Sequence, residues 1–316
     1  MKFFNYINTR LLPVINDEYC RAIRLYKNPS KVKKECIILC LFIKNLYPIL
    51  QVLSGKKLAI SYVELVVTTK CSLRCKYCSN LIQYYDIHTK KPYDSKLNKN
   101  ILAINKLLTV VNVINEFCVL GGEPFLYQDL FELLRYLLSR NEIKNIVITT
   151  NGTIIPNDDL IHLLQNKRFC VRISNYGNKS KHLHELKKTL KSNHIRFQEV
   201  FHNSEWADYG GLTPRNRGVD ELKKQFGQCA TSCRSLLNGK LHTCFRSSHG
   251  MDLGFIRQNH KDYVDLLDQN LTSKELIIQV EHIVFGKDYI DACNYCDFGV
   301  FPIKWVTPGL QVGEER

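Results

Sequence analysis

The chain has 316 residues, 45% apolar and 23% charged, the balance of a globular protein with a substantial core. Its 16 glycines and 9 prolines exclude collagen-like and low-complexity sequence. Lysine and arginine (44) exceed aspartate and glutamate (30) by 14, a surface balance that favours anionic partners and is silent about fold. There are thirteen cysteines, and Met1–Arg10 has neither a continuous apolar core nor a small-residue cleavage site. The expectation is a cytoplasmic protein, since in the reducing cytosol clustered cysteines serve as metal ligands or catalytic thiols.

Residues 1–58 read as a helical extension. Asn16-Asp17-Glu18 resembles a helix start, Asn28-Pro29-Ser30 breaks the pattern, and a second apolar helix is predicted from Val32 to Tyr47. The longest apolar run, Ile37–Ile43, is too short to span a membrane. Strand-like runs then fall at Val63–Val67, Phe117–Leu120, Asn145–Thr149, Cys170–Ser174 and Arg196–Val200. Helix-like runs alternate with them at Asn100–Val111, Gln128–Arg140, Asp158–Gln165 and Lys181–Ser192. Such alternation predicts a parallel α/β sheet with right-handed crossovers, open or curled into a partial barrel, with chemistry at the carboxyl ends of its strands. Gly210-Gly211, Pro214 and Gly218 mark a connection, after which cysteines return. The predicted organisation is a helical extension over 1–58, a core over 59–218 and a small cysteine-bearing module over 219–316. Pro308–Arg316 reads as a loose tail.

The first predicted strand runs into Cys71-Ser72-Leu73-Arg74-Cys75-Lys76-Tyr77-Cys78, a C-x3-C-x2-C loop. Three thiolates so placed can hold zinc with an external fourth ligand, or three irons of a cubane cluster with the fourth iron open. Leu120-Gly121-Gly122-Glu123-Pro124 follows the second strand. Two glycines let backbone approach a ligand, and Glu123 can accept from an ammonium. Thr149-Thr150-Asn151-Gly152 follows the third strand and Ile173-Ser174-Asn175-Tyr176-Gly177 the fourth.

In this order the segments resemble the radical S-adenosylmethionine (SAM) superfamily. The resemblance implies a partial (β/α)6 TIM-like barrel whose Cys71, Cys75 and Cys78 hold a [4Fe–4S] cluster that binds SAM at its open iron. It implies further that Tyr77 lies beside the adenine, that Gly121, Gly122, Glu123 and Pro124 meet the SAM amino group, and that Thr150, Asn151, Ser174 and Asn175 meet its ribose and carboxylate.

Asn238-Gly239 is a strong hairpin turn, and counting outward from a two-residue loop sets Cys233 opposite Cys244. Cys293-Asn294-Tyr295-Cys296 supplies two more thiols at an iron–sulfur or zinc spacing. The pattern resembles the Twitch/SPASM appendage of radical SAM enzymes, which implies a second, auxiliary [4Fe–4S] cluster in the C-terminal module. Cys229 competes with Cys233 as its first ligand, since the family's first cysteine often lies nine or more residues before the glycine. Cys20, Cys36, Cys40, Cys118 and Cys170 sit in apolar contexts as small hydrophobes.

Trp206, Asp208, Arg215, Arg217 and Arg246 are candidate substrate groups. The expected function is SAM-dependent hydrogen abstraction that oxidises a small molecule such as a sugar or cyclitol derivative, anionic if it answers the basic charge. An electron-donor protein such as a flavodoxin or ferredoxin is the expected partner. Two alternatives are a peptide maturase, for which residues 1–58 read as too short and too helical, and a basic iron–sulfur protein acting on RNA, for which only the charge speaks.

Overall fold

The computed structural model describes residues 58–85, 90–200, 205–229 and 233–314. The helical extension predicted for 1–58 lies outside these, except that Leu58 already opens the first strand.

The sequence alternates apolar β-branched runs with amphipathic ones, and the chain alternates strands with helices accordingly. β1 (Leu58–Thr68), β2 (Val111–Gly121), β3 (Ile143–Thr150), β4 (Phe169–Ser174) and β5 (Phe197–Val200) are parallel neighbours in chain order. Between them run α1 (Leu97–Leu108), α2 (Leu130–Leu138), α3 (Asp158–Leu164) and α4 (Leu183–Ser192). The crossovers place the apolar stripes of these helices, among them Ile104, Leu107, Leu133, Leu137, Leu164 and Leu186, on one face of the sheet. There they meet Val63, Leu65, Phe117, Val119, Ile146 and Val171. Phe117 and Phe169 are fully buried, and burial of a side chain that size contributes about 1.5–3 kcal/mol. Tyr62, Val66, Cys118, Leu120, Val147 and Cys170 form a second cluster, as period-two alternation requires for the opposite face.

After β6 (Trp206–Ala207) and α5 (Val219–Gln228) comes the predicted hairpin, β7 (Arg234–Leu237) and β8 (Lys240–His242). Its register is the expected one, with Leu237 opposite Lys240, Leu236 opposite Leu241 and Ser235 opposite His242. Asn238 and Gly239 both take positive φ, 51° and 82°, as a two-residue hairpin turn of this kind demands. The hairpin also joins the main sheet. β7 pairs parallel with β1, aligning Val63 with Arg234 and Leu65 with Leu236. Among the described residues six parallel strands therefore run in the order β5-β4-β3-β2-β1-β7, and β8 and β9 (Tyr263–Asp265) extend the sheet antiparallel. This is the expected α/β, partial TIM-like arrangement, with its sixth parallel strand on the free edge of β1. All eleven residues of β1, a central strand of the sheet, are buried.

α6 (Phe245–Asp252) packs against β7 and β8, with Ser235 Oγ 2.7 Å from Ser248 Oγ. α7 (Ser273–Phe285) opens on a capping box, Glu275 N donating to Thr272 Oγ1 and Thr272 N to the Glu275 carboxylate, and covers β1, β8 and β9. β10 (Trp305–Val306) pairs antiparallel with β6. The segment predicted as a loose tail is docked up to Glu314: Lys76 N donates to Leu310 O (2.7 Å) and Val312 N to Arg74 O (2.8 Å). This polar, glycine-containing stretch has no strand or helix period, and its backbone groups are satisfied by the cysteine loop instead. Among the described residues no helix is long and apolar enough to cross a membrane.

Candidate functional site

The C-x3-C-x2-C loop leaves the carboxyl end of β1 and folds beside the ends of β2, β3 and β4. Cys75 is buried and Cys71 and Cys78 are half-buried. Burial pushes all three thiols up, Cys75 to about 12, and Cys78 raises both of the others further. Each sulfur nevertheless accepts N–H donors. Leu73 N reaches Cys71 Sγ at 3.4 Å and Asn151 Nδ2 reaches it at 3.6 Å. Gln311 Nε2 lies 3.4 Å from Cys75 Sγ, and the Ile82 and Asn80 amides point to Cys78. Three neighbouring sulfurs, one buried and two half-buried, that accept hydrogen bonds and repel one another suit thiolates held on a cationic centre, so the donor set fits an iron–sulfur cluster with one open iron.

Gly121 and Gly122 pack against the backbone that leads into this loop. Gly122 N donates to Thr68 O (2.9 Å) and Glu123 N to Lys70 O (2.8 Å). A Cβ on Gly121 would strike the Thr68 carbonyl, and one on Gly122 the Lys70 carbonyl and the Cys71 side chain. Glycine is thus required here by close backbone approach alone. Glu123 is fully buried. One carboxylate oxygen accepts from Phe125 N (3.2 Å), and the other from Thr150 Oγ1 (3.0 Å) and Asn151 N (2.8 Å). Burial raises the carboxyl from 4.5 to about 7 against those three hydrogen bonds, which favour the charged form. Pro124 opens a short 3-10 turn. Glu123 therefore ties the turn after β2 to the turn after β3, and Asn151 passes the tie on to the loop through Cys71 and Ser72 (3.0 Å).

Ser174 and Asn175 are buried at the end of β4. Asn175 Nδ2 donates to Glu199 Oε1 (2.6 Å), and the Ser174 carbonyl accepts from Ser180 Oγ (3.2 Å). Tyr77 is half-buried beneath two lysine ammonium groups, Lys76 and Lys304, 5.7 and 5.8 Å from its ring centre. Sequence reasoning passed over Tyr176. Its hydroxyl feels the charges of Cys71, Cys75 and Cys78, and its ring stands edge-on to Trp206 at 5.2 Å. An aromatic just past the fourth strand end was the only available signal.

The second cysteine group assembles differently from the hairpin count. The ladder's register stops at Ser235 and His242, and Cys244 turns away to cap α6. Cys233 stays against Tyr62, Cys118 and Leu237 in the cluster on the sheet's second face. Cys244, Cys293 and Cys296 lie close enough to feel one another's charge, and each also feels that of Cys229. Burial lifts Cys244 to about 12 and Cys296 to about 11, with further increments from Cys229. Cys293 is raised by burial and by Cys244, Cys296 and Cys229. Cys118 and Cys170 are buried in the sheet, as expected of small hydrophobes.

Arg215 and Arg217 do not face open space. Both pair with Asp297 (2.7 and 2.8 Å), and Arg217 also donates to the carbonyls of Cys293 (3.1 Å) and Cys296 (2.5 Å), stapling the C-x2-C loop. Asp208 pairs with Lys304 (3.0 Å). Buried Arg246 donates to the carbonyls of Gly210, Gly211 and Tyr295. Its charge lowers the pKa of Cys78 in one group and of Cys296 in the other, and its Nε has no hydrogen-bond partner. Among the described residues no three His, Cys, Asp or Glu side chains converge on a single metal ion.

Residues 65–200 match the family model of the Radical SAM superfamily. GTP 3′,8-cyclase of Microcystis aeruginosa is 28% identical over 98 residues, 31% of this chain and 29% of that protein. GTP 3′,8-cyclase of Clostridium perfringens is 28% identical over 152 residues, 42% of this chain and 44% of that protein. The matches thus span less than half the length of these relatives. Among solved structures, native anSMEcpe with bound AdoMet has a TM-score of 0.44 at 17% identity, covering 72% of this chain and 83% of that one. BtrN in complex with AdoMet and 2-DOIA has a TM-score of 0.44 at 14% identity, covering 76% and 94%.

Proposed function

We propose that this chain, whose residues 65–200 match the Radical SAM superfamily model, binds SAM on a [4Fe–4S] cluster held by Cys71, Cys75 and Cys78 and oxidises a small organic molecule. When bound, the cluster and SAM supply a 5′-deoxyadenosyl radical that takes a hydrogen atom from substrate, and a second cluster offers a place for the electron that such an oxidation releases. The observation that carries this reading is the set of N–H donors on all three sulfurs, at the strand ends where Glu123 joins the second and third turns.

This chain's residues divide the work. The amides of Leu73, Asn151 and Gln311 donate to Cys71 and Cys75 and favour the ionised sulfur against the burial that raises its pKa. Glu123, if it also accepts from the SAM ammonium, does so with a carboxylate already oriented by three donors. Tyr176, with Trp206 packed edge-on behind it, offers the cysteine loop an aromatic surface that would help exclude water from a radical reaction. Cys229, Cys244, Cys293 and Cys296 are the ligand set for the auxiliary cluster, with Cys229 in the place that hairpin counting gave to Cys233. Arg246 supplies a fixed positive charge that both groups feel.

The net charge of +14, together with the name of the cyclase relatives, favours an anionic small molecule as substrate, with a flavodoxin or ferredoxin as donor. The test is anaerobic reconstitution, followed by SAM, dithionite and candidate metabolites, reading 5′-deoxyadenosine and substrate mass. Alanine at Cys71, Cys75 and Cys78 together abolishes 5′-deoxyadenosine while a second iron–sulfur signal persists. SAM cleavage equal to wild type in that triple variant refutes the proposal.

A further inference from the structure

The C-terminal segment 308–314 is built onto the cysteine loop at several independent points. Gln311 and Cys75 form an antiparallel bridge. Gln311 Oε1 accepts from Arg74 N (2.7 Å), and Gln311 Nε2 donates to Cys75 Sγ (3.4 Å) and to Gly309 O (2.6 Å). Backbone bonds from Lys76 to Leu310 and from Val312 to Arg74 flank the pair. The segment is anchored beyond the loop as well. Glu314 pairs with Lys179 and accepts from Gln311 N (2.9 Å), and Gly309 lies against the Tyr176 ring, where a Cβ would collide. One primary amide thus fixes the loop backbone with its oxygen and reaches a sulfur with its nitrogen.

We infer that Gln311 is a positioning residue for the cysteine loop and sets the reduction potential of the cluster through its N–H···S bond to Cys75, with the 308–314 segment as the strap that holds the amide in place. The inference rests on the reading of Cys71, Cys75 and Cys78 as iron ligands. Reduction adds one electron from a low-potential one-electron donor and breaks no bond. The added charge spreads over iron and sulfur. A donor fixed on a ligand sulfur stabilises the reduced form more than the oxidised one and raises the potential. A glutamine on a docked strap holds its N–H at the sulfur at little entropic cost, because the same side chain is already fixed through Arg74 N.

The test is a redox titration of reconstituted, full-length protein without substrate, followed by electron paramagnetic resonance of the SAM-binding cluster, with iron content measured on the same samples. In Gln311→Met, which keeps the volume and lacks the amide, the potential falls enough to change the reduced-to-oxidised ratio at fixed ambient potential about tenfold, equivalent to about 59 mV for one electron. Gln311→Glu keeps an acceptor for Arg74 N and loses the donor, so it moves the potential in the same direction and covers the case in which the methionine variant fails to hold iron. Glu314→Gln weakens the anchor without touching a sulfur, and it shifts the potential less than Gln311→Met. An unchanged potential in a Gln311 variant with full iron overturns the inference and leaves the ligand reading standing. Wild-type protein that takes up no cluster at Cys71, Cys75 and Cys78 overturns the ligand reading and the inference together.

Discussion

Glu123→Gln is the most informative single substitution. The wild-type carboxyl is fully buried, and burial lifts it from 4.5 to about 7. Between those pH values the folded chain keeps a proton that the unfolded chain has released. Stability therefore falls as pH rises through this window and is level above about 7. The interval corresponds to about 3 kcal/mol lost between pH 4.5 and pH 8. Glutamine does not titrate, so its variant lacks this slope. Glutamine also offers one oxygen and one NH2 where Phe125 N, Asn151 N and Thr150 Oγ1 now meet two acceptors, so at pH 8 a buried N–H goes unmet at about 1–3 kcal/mol. Urea unfolding of both proteins under reducing, anaerobic conditions at several pH values from 4.5 to 8 reads the difference. The stability difference between the two proteins should change by about 3 kcal/mol across the range. Parallel curves would show that the carboxyl is ionised throughout and that burial does not dominate it. At pH 8 the same variant should bind SAM more weakly by about 1.5–3 kcal/mol, and unchanged affinity would leave Glu123 a purely structural tie.

The second cysteine group is separable by serine scanning. Cys229→Ser should lower iron to about one cluster per chain while Cys233→Ser keeps both, and the reverse result would restore the hairpin pair as ligands. Gly122→Ala should cost about 2–4 kcal/mol in stability, on the scale of large steric and backbone effects, because its Cβ collides with the Lys70 carbonyl and neither backbone can retreat from its hydrogen bonds. A loss below about 0.5 kcal/mol by thermal unfolding would contradict the close approach.

The sheet was legible because its signal is local. Val63–Val67 and Cys170–Ser174 alternate or run apolar over a strand's length, and the amphipathic stretches between them carry the 3.6 period. The edges of elements were less so. Val110 and Val111 extend the apolar pattern of α1, yet the helix ends at Leu108, Val110 lies in the turn and the β-branched Val111 opens β2. The hairpin register followed from Asn238-Gly239 alone. The fate of Cys244, two residues beyond the last paired position, did not, because it depends on where α6 begins. Gln311 was invisible for another reason. Its partner lies at the other end of the described chain, and nothing in a polar segment announces a contact to a sulfur.

The pairing of β7 with β1 has a consequence for the order in which the molecule can form. β1 is made early, yet Val63 finds its second neighbour only when Arg234 has left the ribosome. Until then an apolar strand stands with one edge open, a surface that pairs readily with any other strand. Contacts so distant in sequence form slowly. The nascent chain therefore passes through a long interval in which its most buried strand is its most adhesive one, until β7 of the hairpin covers that edge.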